Sequence, residues 1–146
     1  MKLHDVEGRN SYCGPAAIST VAGVTTDEAA RIIRERRAYY RPVRGCHYYE
    51  VLQALNLLGY TFESYASIGK LQRGVVRLQP TLKQWLAERD RRADHSQVFL
   101  VNVTGHFIVI RGSILVDSHH RNGELIEDVG GLRRRVKRAW KLTKSV

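Results

Sequence analysis

Apolar positions recur at helical spacing in the first half of the chain and run as strands in the second. Pro15 to Ala22 is small and apolar. It is opened by a proline where no amide hydrogen is needed and closed by Gly23, which predicts a first helix. Thr25 and Glu28 have capping-box spacing ahead of a second helix over about Asp27–Ala38, with Ala29, Ile32 and Ile33 on its apolar face. Val51, Leu52, Leu55 and Leu58 predict a third helix over His47–Leu58, stopped by Gly59. Tyr60–Tyr65 reads as a short strand and Ser67–Pro80 as a loop. Thr81 caps a short fourth helix whose polar end, Glu88–Ser96, reads as a second loop.

From Val98 the pattern changes. Val98–Val103, His106–Arg111 and Ile114–Asp117 form a predicted meander, with turns at Thr104-Gly105 and Gly112-Ser113. His119–Gly131 reads as a polar loop. Val136–Leu142 alternates well enough for a last strand, although Leu132, Val136 and Trp140 also fit a helix. Helices followed by an antiparallel sheet predict an α+β fold, in one domain over residues 1–146.

Composition alters this picture in two ways. A net charge of +10 favours polyanions or an acidic partner and says nothing of fold. Two cysteines exclude a disulfide framework and point to a reducing compartment. Residues 1–10 are polar and lack the apolar core of a secretory signal, and no run approaches the length of a membrane span. The expectation is a cytoplasmic protein without a membrane partner.

Cys13 stands at the mouth of the first helix, where unpaired N–H groups and the positive dipole end favour a thiolate. A buried structural cysteine is the alternative. With Gly112-Ser113 as a two-residue turn, Ile110 faces Leu115 and Ile108 faces Asp117. His106 and Asp117 then share a face as diagonal neighbours, while Phe107, Val109, Ile114 and Val116 fill the other. A carboxylate beside an imidazole fixes its tautomer and stabilises its protonated form. A satisfied core pair would show the same pattern.

Cys-Gly-Pro-Ala-Ala at a helix start, Gly-His-Phe-Ile-Val-Ile on a strand and then Val-Asp-Ser together resemble the papain-like cysteine peptidase superfamily. Within it the chain looks most like the small bacteriocin-processing peptidases and similar proteins of bacteria and phages. The resemblance implies a papain-like fold, with the cysteine helix packed on a C-terminal sheet. Cys13 would be the nucleophile, His106 the general base and acid, and Asp117 the residue orienting His106. It also implies a protein or peptide substrate, a thioester intermediate and no cofactor. By resemblance alone the setting could be a phage, in the host cytoplasm or the virion. Family members place a glutamine upstream of the cysteine to complete the oxyanion hole. Here Glu7 stands six residues before Cys13, and an ionised glutamate only accepts hydrogen bonds, so Asn10 and Ser11 are further candidates. Peptide hydrolysis, side-chain amide hydrolysis and acyl transfer all use this apparatus.

Cys46-His47 is a second Cys–His pair, for which a capping or core role is the simpler reading. His119-His120 beside Asp117 invites a zinc site, but the paired ligand spacing is missing and no metal is expected. Arg133, Arg134, Arg135, Lys137 and Arg138 crowd the C-terminus near Trp140. A second basic group, Arg31 to Arg44, lies near Tyr39 and Tyr40. Such clusters suit phosphate contacts and base stacking, yet no nucleic-acid motif accompanies them, and an acidic protein partner fits as well. The alternative function is therefore a catalytically weak or inactive protein acting as a basic binding module for nucleic acid or an acidic protein.

Overall fold

A computed structural model describes residues 1–4, 12–37, 43–65 and 79–145. Glu7, Asn10 and Ser11 lie outside the described residues, as do Tyr39, Tyr40, Arg41 and most of the loop expected over 67–80.

Helix α1, Cys13–Ala22, is closed by Gly23, which takes the left-handed conformation (φ 74°) and donates its N–H to the Ser19 carbonyl at 2.9 Å. Helix α2 spans Thr26–Arg36. Thr25 Oγ1 accepts the Glu28 N–H at 3.1 Å, but the Glu28 carboxylate accepts from Arg31 Nε at 2.8 Å. The charged partner one turn ahead takes the carboxylate that the reciprocal half of a capping box would use. Helix α3, Tyr48–Leu57, is followed by β1, Tyr60–Ser64.

Helix α4, Leu82–Arg91, continues through Glu88–Arg91, the first four residues of the segment expected as a loop over Glu88–Ser96. The reason is Arg89, whose side chain is 2% exposed. Its guanidinium donates to the Gly112 carbonyl at 2.8 Å, so a residue read as polar surface anchors the helix to the β-hairpin. The strands β2 (Val98–Val103), β3 (His106–Arg111) and β4 (Ile114–Val116) form the expected meander. The polar loop expected over His119–Gly131 contains a two-residue strand, β5 (Glu124–Leu125), and a single helical turn, α5 (Ile126–Val129). Ile126 is buried there and donates its N–H to the Ser113 carbonyl at 2.9 Å. Leu125, Ile126 and Val129 are too few apolar positions to betray an element.

The last strand, β6, runs over Val136–Lys144. It inserts between β1 and β2, giving the sheet order β1-β6-β2-β3-β4-β5 with every neighbouring pair antiparallel. Alternation then divides the core. Leu100, Phe107, Val109, Trp140 and Leu142 pack beneath α1, α2 and α3. Phe99, Val101, Ile108, Ile110, Leu115 and Ala139 face the other way, onto Leu82 and Trp85 of α4. The fold is α+β, a helical N-terminal half on a C-terminal antiparallel sheet. Among the described residues no helix is long and apolar enough to cross a membrane.

Candidate active site

The β3–β4 hairpin has the register that a two-residue turn requires: Arg111 opposite Ile114, Ile110 opposite Leu115 and Val109 opposite Val116. Its continuation sets Asp117 beside Ile108, on the face that carries His106. Nε2 of His106 lies 2.9 Å from Oδ2 of Asp117. His106 is the first residue of β3, opposite Val103 across the Thr104-Gly105 turn, so its ring stands at the end of the sheet. There it meets Cys13, the first residue of α1. With Nε2 engaged by Asp117, the ring has Nδ1 left for the thiol.

Each partner shifts the others. Burial, the largest influence on Cys13, raises its thiol pKa. The His106 ring, the Phe107 and Gly14 backbone and the charge of His106 together outweigh it, and the thiol sits below its ordinary value. The Asp117 carboxylate raises His106 to about 9, helped by Cys13 and opposed by burial. Burial works against ionisation of Asp117, but hydrogen bonds from His106, His120 and the His119 backbone override it and hold its carboxyl well below the usual range. Tyr12 precedes α1 in extended conformation with no side-chain cap, and no acidic residue occupies the first turn. Among the described residues, no acid of the first turn and no side-chain cap offsets the positive end of the helix at the thiol.

Asp117 is fixed more tightly than the sequence indicates. Its Oδ1 accepts the N–H groups of His119 (2.9 Å) and His120 (2.8 Å), and His120 Nδ1 stands 2.8 Å away. These bonds fold residues 117–120 into an Asx turn. The adjacent histidines thus serve the carboxylate. His119 also lays its ring on that of His106, with centroids 5.7 Å apart and planes 26° from parallel. Asp-Ser-His-His reads as a turn, and that was the only signal available for this role.

Cys46 is drawn into the same neighbourhood. Its half-buried thiol packs on α1 and is pushed up to about 12, by burial first and then by the charges of Cys13 and Glu50. A Cβ on Gly14 would stand 2.0 Å from Cys46 Sγ. Gly14 lies inside the helix without a positive φ, so what this contact needs is its small size.

Beside His106 opens a cleft of about 490 Å³, lined by His106, His119, His120, Gly130, Gly131 and Arg134. Arg134 is thereby separated from its basic neighbours: Arg133, Arg135, Lys137 and Arg138 are exposed. Of these, Arg135 donates to the Gln79 carbonyl at 2.8 Å, and Arg138 lies over the Tyr48 ring at 4.3 Å. A scan against protein-family models and a search of curated proteins both return no match.

Proposed function

We propose that the protein is a papain-like cysteine hydrolase that acts as a peptidase on a protein or peptide substrate. The observation that carries this reading is that the Cys13 thiol lies near enough to the His106 ring to be lowered by it, while that ring stands 2.9 Å from an Asp117 anchored by the backbone of its own turn. A structural cysteine needs no imidazole, and a core His–Asp pair needs no thiol at a helix start. The lowered Cys13 and raised His106 favour a thiolate–imidazolium pair, which is the ground state such chemistry uses.

The roles follow from position. The Cys13 thiolate adds to the substrate carbonyl. As the C–N bond breaks, the proton on His106 passes to the departing nitrogen, leaving a thioester on Cys13. His106 then takes a proton from water, which attacks the thioester and releases the acid and the thiol. Asp117 holds the ring in one tautomer and offsets its charge in both steps. In this reading backbone N–H groups at the start of α1, where Tyr12 makes no side-chain cap bond, receive the oxyanion, with Asn10 or Ser11 as a further donor.

Peptide hydrolysis by the purified protein, followed on a mixed peptide pool by mass spectrometry, tests the reading. Cleavage that disappears in Cys13→Ala and in His106→Ala supports it. Cleavage that survives Cys13→Ala refutes it. The exposed cations Arg133, Arg135, Lys137 and Arg138 favour a second reading, a basic binding module. That reading predicts polyanion binding that survives Cys13→Ala and weakens steeply with salt.

A further inference from the structure

The cleft beside His106 has a chemical bias of its own. Arg134 is folded across the backbone of Gly131. Its Nε donates to the Gly131 carbonyl at 3.3 Å, and a Cβ on Gly131 would stand 2.5 Å from that nitrogen. Gly131 adopts φ 73°, which, with the missing side chain, restricts this position to glycine. The turn is itself tied down. Arg134 donates its N–H to the Gly131 carbonyl at 3.0 Å, and its own carbonyl accepts the Leu82 N–H at 2.8 Å. Lys83 N–H reaches the Leu132 carbonyl at 3.0 Å. The turn is therefore fixed by its backbone, and one Nε hydrogen bond holds the guanidinium against it. Among the described residues no carboxylate pairs with it. The one acid lining the cleft, Asp117, has its oxygens engaged by His106, His119 and His120.

We propose that Arg134 and the 130–131 turn form a carboxylate-recognition subsite for the leaving half of the substrate. The inference rests on the hydrolase reading above. The departing amine must lie against His106 to receive its proton; the cleft shares that ring but not Cys13, so in this proposal the chain the amine carries passes the ring to enter it. An arginine whose terminal nitrogens have no partner among the described residues, in a cleft where Asp117 is already satisfied, selects an anion with two acceptor oxygens. That group is a carboxylate, supplied either by the substrate's C-terminus or by an acidic side chain. The enzyme would thus cut close to a C-terminus or before an acidic residue.

Acyl transfer reads this out, because an incoming amine occupies the space that a departing amine leaves. The protein is acylated with an N-acetylglycine thioester and offered three acceptors: alaninamide, alanine and the α-amide of glutamic acid. In each transfer the amine nitrogen attacks the thioester carbonyl, the C–S bond breaks, and His106 takes the proton the nitrogen loses. The readout is the yield with an anionic acceptor relative to alaninamide, measured within one protein preparation. Arg134→Ala should lower that ratio about tenfold or more for the acceptor carrying the recognised carboxylate, with part retained in Arg134→Lys. A response to alanine marks a C-terminal carboxylate, and a response to the glutamic acid amide marks a side chain. Arg134→Gln gives the same comparison should the alanine variant fail to fold. Equal ratios in wild type and variants overturn this inference while leaving the hydrolase reading intact. Failure to acylate Cys13 at all overturns both.

Discussion

Cys46 Sγ rests on the Gly14 backbone so closely that a methyl group there would stand 2.0 Å from the sulfur. The residue after the candidate nucleophile is therefore fixed from the side by the second thiol, and the start of α1 has little freedom to move.

Gly14→Ala should destabilise the fold by about 1–3 kcal/mol, despite alanine's better helix propensity, because the clash must push either α1 or the 45–47 segment aside. Cys13 alkylation should slow with it. In a Cys46→Ala background the same substitution should become neutral or stabilising. Chemical denaturation of the four proteins of this cycle measures the coupling, and additive effects would contradict the contact.

The pH dependence of peptide hydrolysis should be bell-shaped. The acid limb reports loss of the Cys13 thiolate and lies below the ordinary thiol value; the alkaline limb, near 9, reports deprotonation of His106. Asp117→Asn removes the anion that raises His106, so the alkaline limb should move to lower pH. The plateau should fall by about 100-fold or more as the tautomer is lost. An unmoved alkaline limb would show that Asp117 does not set the His106 pKa.

Stability should follow pH with a sign set by the same pair. His106 is raised from 6.5 to about 9 on folding, so its contribution is complete below pH 6.5 and lost as pH rises through 9. Asp117 is depressed from 3.8, so its contribution is present above pH 3.8 and lost as pH falls through its lower folded value. The depressed Cys13 thiol has the opposite dependence to His106, so the test belongs in a Cys13→Ala background. There the Tm difference between Asp117 and Asp117→Asn should be largest between about pH 4 and 6.5 and shrink above it. A difference that grows above pH 9 would contradict the assignment.

Arg89 joins α4 to the hairpin that carries Asp117. Arg89→Ala should cost about 2–4 kcal/mol in urea denaturation, since it strips a donor from the half-buried Gly112 carbonyl as well as removing a buried side chain. A change within about 0.5 kcal/mol, typical of surface sites, would place Arg89 outside the core.

The parts of this architecture legible in the sequence are those governed by short-range rules. The turn at Gly112-Ser113 fixes the β3–β4 register, and with it the approach of His106 to Asp117, because a two-residue loop leaves no choice of pairing. Helix stops at Gly23 and Gly59 and the Thr81 cap are likewise local. What resisted reading depends on partners distant in sequence. The insertion of β6 between β1 and β2 leaves no trace in its alternation. Arg89 becomes core only because the Gly112 carbonyl lies above it. Arg134 looks like one more member of a charge run until Gly131 folds it into the cleft. The Asp117 anchor uses backbone N–H groups, which no side-chain pattern records. Gly14 stands beside Cys13 in the sequence, but Cys46, which needs its small size, lies 32 residues away.

The central claim is that Cys13 is an activated nucleophile paired with His106, and its reactivity is the direct measure. Alkylation by iodoacetamide at pH 7, with each site followed by peptide mass spectrometry, should label Cys13 at least about 100-fold faster than Cys46, whose thiol is pushed up to about 12. The Cys13 rate should fall about tenfold or more in His106→Ala. Equal rates at the two cysteines, or a Cys13 rate indifferent to His106, would contradict the account.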